Sequence, residues 1–181
     1  MNRARDMPIA GIGLWRFSLA FYRRPGVAAA LLALQDGAGL DVNMILFAVW
    51  LGLSGRGRID SPALEAADRQ VRVLRRDVIE PLRALRRRLT AAADADIRRL
   101  RDKIKEVELD AEKAAQDRLA RHAGAAMAAG GRECLADAAA NLACCLGPEA
   151  GHGSEAATIL NEIERFAEQA FTSSRPVRPS G

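Results

Sequence analysis

Aromatic side chains are scarce in this 181-residue chain, which has five Phe, two Trp and one Tyr. β-Branched residues are also thin beyond the first third, while alanine is abundant, a balance that favours helix over strand. An all-α fold is expected. Cysteine is sparse too. Cys134, Cys144 and Cys145 include an adjacent pair but no C-x-x-C spacing, and so suggest neither a disulfide framework nor a zinc site. Reduced, buried thiols are expected, with at most one of Cys144 and Cys145 exposed, since adjacent residues on a helix point different ways. The two histidines, His122 and His152, lie far from the other polar candidates, and no metal and no cofactor is expected.

Long apolar runs are missing as well. The stretches Val27 to Leu34 and Met44 to Leu53 fall far short of the ~20 residues that cross a bilayer. The acids Asp36 and Asp41 and Asn43 between them make a re-entrant hairpin costly. No integral membrane span is expected. The N-terminus, interrupted by Asp6 and Arg16, carries no signal-peptide run, and a cytoplasmic location is expected. The length suits one domain with an appendage.

What the chain does have is concentrated between Trp15 and Trp50, which hold six of the eight aromatics. A helix over about 14–22 places Trp15, Ser18, Leu19 and Tyr22 on one face, expected to pack inward. Pro25 suits the first turn of a second helix, ended by Gly37 and Gly39. Asp41 follows as an N-cap for a third, nearly all-apolar and therefore central helix over 42–53. Trp15, Tyr22, Phe47 and Trp50 fall at helical spacings on apolar faces, which reads as core packing.

Ser61 is the expected cap of the next helix, with Pro62 at its first position. Its apolar stripe runs through Leu64, Ala67, Val71, Leu74, Val78, Leu82, Leu85 and Leu89. Pro81 predicts a kink near Glu80, after which the stripe resumes in phase. Beyond the short connection 91–95, Ile97, Leu100, Ile104, Val107, Ala111 and Ala114 follow a heptad pattern, and the two charged helices are expected to form an antiparallel hairpin. Two further helices are expected over about 133–146 and 154–171. The domain reading is 1–123 as the core with its charged hairpin, 124–171 as a C-terminal helical extension and 172–181 as a disordered tail.

Charge is uneven. Residues 69–105 contain 13 Lys and Arg against 5 Asp and Glu, a local +8 in a chain of net +4. On an ideal helix Arg69, Arg72, Arg76, Arg83 and Arg87 fall within about 60° of arc. Such a stripe can meet an acidic protein surface or nucleic-acid phosphates. It can equally be a solvated face neutralised by Glu65, Asp68, Asp77, Glu80 and by Asp102, Glu106 and Glu108 of the following helix. No aromatic residue interleaves with it, which argues against single-strand stacking.

The second constellation is Gln35, Asp36, Asp41 and Asn43 at the turn between two apolar helices. Asp41 is explained as a cap. Asp36, near a helix C-terminus, faces the negative end of the dipole and needs a compensating cation. A carboxylate pair there can bind an ion or serve as acid and base; a hydrogen-bonded turn fixing the interhelical angle is the plainer account.

Phe17, Ser18, Tyr22, Pro25, Gly26, Val27, Leu34, Gln35, Asp36, Gly39, Asp41, Val42, Asn43, Leu46, Phe47 and Trp50, joined by PLRALRRRL at Pro81 to Leu89, resemble the pattern of a proteobacterial family of conserved hypothetical proteins, domain of unknown function 2390. The resemblance covers the first half and the charged helix beyond it. It implies a fold and a bacterial setting, and carries over no activity, cofactor or catalytic residue. The expected architecture is a helical bundle-like core with a longer charged helical hairpin. The leading functional reading is a non-enzymatic cytoplasmic interaction module that docks an acidic partner through its arginine-rich helix, with oligomerisation through the charged helices possible. The alternatives are a nucleic-acid-associated protein using the same stripe, and a small enzyme or ligand-binding protein with its site at Asp36 and Asp41.

Overall fold

The computed structural model describes residues 11–91, 93–126, 134–147 and 153–173. The expected disordered tail lies outside the described residues from position 174 onward, as do His152 and the first ten residues. Helices make up the fold, and the described residues contain no strand. Helix α1 spans Leu14–Tyr22, α2 Val27–Ala38 and α3 Val42–Leu53. α4 (Ser61–Leu74) and α5 (Glu80–Arg88) are joined by a π-helical turn, Arg75–Ile79. α6 (Ala95–Ala126), α7 (Leu135–Leu146) and α8 (Ser154–Ser173) follow.

α3 is the central element. Asn43 to Leu53 are all buried, which a helix apolar on every side requires. Asp41 caps it as expected, its Oδ1 accepting the Asn43 N–H at 2.7 Å. α7 crosses α3 so closely that a Cβ on Gly52 would lie 2.2 Å from the Ala138 nitrogen. Only hydrogen fits there. Asn141 of α7, fully buried, accepts the Ile59 N–H and donates to the carbonyls of Ala48 and Gly57, which fastens the α3–α4 loop. α8 closes over α1 and α2, where Phe166 packs edge-on against Phe17 and Phe21 and Glu162 accepts from Arg24 at 2.8 Å.

Several local expectations need correction. The buried side of α1 is Leu14, Phe17, Ser18 and Phe21, so Trp15 and Tyr22 are only half-buried and Leu19 is exposed. Three buried aliphatic or aromatic positions outcompeted the face that contained Trp15. Pro25 precedes α2 in a turn that Gly26 completes at φ +78°, a conformation that suits glycine. Asp60, not Ser61, caps α4, accepting from Ala63 N–H at 2.9 Å.

Pro81 produces the expected irregularity as the π turn ahead of it. Proline has no N–H to donate back to the fourth carbonyl before it, and its ring crowds that carbonyl; the wider turn makes room. A π turn uses more residues per revolution, so the stripe does not resume in phase. Ile79 is 2% exposed while Val78 is 36% exposed. The charged helices turn back on each other, α6 packing against α4, the π turn and α5. Yet the heptad face coincides with its buried face only in part, at Ala111 and the half-buried Ile104. Ile97, Leu100 and Val107 are exposed, and Glu108, Ala111, Ala115, Gln116, Leu119 and Ala123 are buried.

Candidate functional site

The two sequence constellations meet at one wall. α2 ends at Gly39, and its last turn holds Gln35 and Asp36 ahead of the start of α3; side chains of α5 reach Gln35 and Asp36, and one of α6 reaches Asn43. Arg83 Nη1 donates to Gln35 Oε1 at 2.7 Å, and Arg87 Nη2 to Asp36 Oδ1 at 3.0 Å. The cation required by Asp36 is therefore Arg87. That hydrogen bond, followed by one from Gln35, holds the Asp36 carboxyl below the usual range. Asp41 Oδ2 receives Arg75 Nη1 at 2.6 Å, and Arg75 Nη2 reaches Asp68 at 2.7 Å.

Behind this layer lies an arginine–glutamate cluster built around the buried Glu108. Glu108, 5% exposed, accepts from Arg86 and Arg83, while Arg83 Nη2 also donates to Glu112 at 2.7 Å. Burial pushes the Glu108 carboxyl up, but hydrogen bonds from Arg86 and then Arg83 outweigh it and leave it below its usual value. Glu112 goes the other way: burial dominates, Arg83 offsets it in part, and its carboxyl is raised. Deeper still, Gln116 Nε2 donates to Asn43 Oδ1 at 2.8 Å. Gln35, Asn43, Arg83 and Arg87 separate two cavities, of about 790 and 440 Å³.

The arginine stripe is divided by the π turn. Arg83 is turned into the cluster, with a side chain 19% exposed, whereas Arg69, Arg72 and Arg76 are 54%, 52% and 67% exposed. The outer three pair with Glu65, Asp68 and Asp77 of their own helical stretch. Glu108 crosses to the stripe from α6, whereas Asp102 pairs with Arg101. Arg75, Glu112 and Gln116 were missed by sequence reasoning. The i,i+4 spacing of Glu108, Glu112 and Gln116 on one face of α6 was the available signal.

The thiols are free, as expected, and half-buried, with Cys145 packed against the core. Cys144 and Cys145 line the larger cavity, and burial pushes the Cys145 thiol up to about 12. Among the described residues no group of three or more His, Cys, Asp or Glu side chains is placed to hold a metal. None of the helices searched among them is long and apolar enough to cross a membrane.

Fold and site together define an all-α protein with an arginine–carboxylate wall between α2, α3, α5 and α6. The chain belongs to the family described as Protein of unknown function (DUF2390), which matches residues 13–119, more than half its length. The matched residues take in the whole wall, from Gln35 to Gln116; α7 and α8 lie beyond them. No curated protein and no solved structure matches the chain.

Proposed function

We propose that this protein is a non-enzymatic interaction module of the bacterial cytoplasm that docks an acidic partner on the outer side of α4. The observation that carries this reading is the placement of Val73, 60% exposed, on the face shared by Arg69, Arg72 and Arg76. An exposed apolar side chain flanked by guanidinium groups offers both burial and charge to a partner surface. The pairs these arginines make with Glu65, Asp68 and Asp77 are solvent-exposed and weak, so a partner carboxylate can take their place. Arg75, Arg83, Arg86 and Arg87 hold the protein's own wall together and are not part of the docking face.

Asp36 and Asp41 are spent on Arg87 and Arg75, which favours a turn lock over an acid–base or ion site. Residues 124–171 are read as an extension that completes the core, since α7 supplies Asn141 and the crossing at Gly52.

The test is affinity recovery from the native cytoplasm at low and moderate salt, followed by titration of the purified partner. An acidic protein should bind wild type, lose most of its affinity for Arg69→Glu/Arg72→Glu/Arg76→Glu, and bind Val73→Asp about tenfold more weakly. Retention of nucleic acid with a steep salt dependence that the triple variant abolishes would instead favour phosphate binding. Equal recovery by wild type and triple variant would sink the docking face.

A further inference from the structure

The smaller cavity, about 440 Å³, is graded from a polar floor to a cationic rim. Deepest in it are Ser18, Asn43 and Gln116, which are 3%, 5% and 2% exposed. Ser18 Oγ and Gln116 Oε1 are buried without a hydrogen-bond partner. They come from different helices, α1 and α6, to the same cavity. A buried polar atom with no partner is costly, and folded proteins leave few. Gln116 has already used Nε2 on Asn43; its free Oε1 needs a donor.

Above this floor the wall is apolar, formed by Trp15, Tyr22 and Leu46 and by a collar of Leu19, Leu32 and Leu109. The collar leucines are 38%, 42% and 46% exposed. Single exposed leucines are ordinary, but these three line one cavity. Arg23 and Lys105 stand exposed at the rim, and neither has a carboxylate partner among the described residues. The other arginines of the cavity, Arg83, Arg86 and Arg87, are held by Glu108, Glu112 and Asp36.

We infer that this cavity binds a small amphiphilic acid. Its aromatic or branched aliphatic body lies between Trp15 and the leucine collar, an N–H or O–H of the ligand donates to Gln116 Oε1, a second polar group of the ligand pairs with the Ser18 hydroxyl, and its anionic group meets Arg23 and Lys105. The cavity volume falls within the roughly 300–1,000 Å³ of pockets that take small organic ligands. This site is separate from the docking face on α4, and the two readings stand or fall independently.

The probe is 8-anilinonaphthalene-1-sulfonate, which combines an aromatic body, an N–H and a sulfonate; N-phenyl-1-naphthylamine is its uncharged counterpart. Both are titrated by fluorescence into wild type, Leu109→Trp and Arg23→Glu/Lys105→Glu, whose changed residues are all exposed, with folding checked by thermal melting. One probe should bind per chain and Leu109→Trp should abolish it. The charge variant should weaken the sulfonate about tenfold and leave the uncharged probe nearly unchanged. No saturable one-to-one binding, or equal affinity in wild type and Leu109→Trp, overturns the site. Equal weakening of both probes by the charge variant overturns recognition of an acid.

Discussion

Arg87 Nη2 lies 3.0 Å from Asp36 Oδ1, so a member of the basic stripe answers the carboxylate that the dipole of α2 leaves unfavourable. Both side chains are about half exposed, and water competes for the pair. Asp41 is different, because its carboxylate caps α3 and also holds Arg75. Asp41→Ala should therefore cost about 2 kcal/mol, combining a lost cap with the loss of one of the two carboxylates that hold Arg75, Asp68 remaining. Asp36→Ala should shift the melting temperature far less. Thermal denaturation of the two variants checks the order, and an Asp36→Ala loss as large as that of Asp41→Ala would refute it.

Glu108 and Glu112 predict opposite pH effects from one cluster. Glu108 titrates below its ordinary 4.5 in the folded protein, so its contribution is complete above that value and is lost as pH falls through the lower folded value. Glu112 titrates above its ordinary 4.5. Its charged form costs stability at neutral pH, and that cost is relieved as pH falls through the raised value. Urea midpoints between about pH 3 and 7 should show Glu108→Gln with a shallower acid loss than wild type, and Glu112→Gln without the small gain on mild acidification. Removing the carboxyl outright, in Glu108→Ala, leaves the half-buried Arg86 unpaired and Arg83 with Glu112 and Gln35, an effect of about 1.5–3 kcal/mol.

The all-helical class, the order of the helices, the cap at Asp41 and the charged hairpin were legible because each depends on local pattern. Leu14, Phe17 and Phe21 were not chosen over Trp15 and Tyr22 because both sets share helical spacing, and only α8, through Phe166, decides between them. The slip from Val78 to Ile79 follows from the π turn before Pro81, whose extra residue an ideal-helix projection omits. That same slip turned Arg83 inward. The need of Asp36 for a cation was readable, but its partner lies 51 positions away and depends on how α5 crosses α2.

Cysteine reactivity separates the two adjacent thiols. The Cys145 Sγ contacts the Met44 carbonyl at 3.5 Å, and burial pushes its thiol up to about 12. Alkylation requires the thiolate, which is nearly absent at Cys145 at mildly alkaline pH. Iodoacetamide labelling of the folded protein, followed by mass spectrometry, should therefore modify Cys144 well before Cys145, with the difference erased in denaturant. Faster labelling of Cys145 would mean that the α3–α7 contact opens more readily than its packing implies.

The α3–α7 crossing is the strongest expected point of failure. A Cβ at Gly52 would lie 2.2 Å from the Ala138 nitrogen and 2.4 Å from its Cα, and backbone cannot rotate away as a flexible side chain can. Overpacking in a core costs roughly 1–3 kcal/mol where neighbours relax, and Gly52→Ala should reach or exceed the upper part of that range. Truncation after Ala123 removes Asn141 and strands the Ile59 N–H and the Ala48 and Gly57 carbonyls it serves. It also uncovers the side of α3 that α7 buries. The truncated chain should therefore melt without a cooperative transition, while Asn141→Ala, which retains α7, should fold but lose about 2 kcal/mol or more. Circular dichroism melts of the three variants test this, and a cooperative transition in the truncated chain at the wild-type temperature would show that residues 124–171 are a separable appendage.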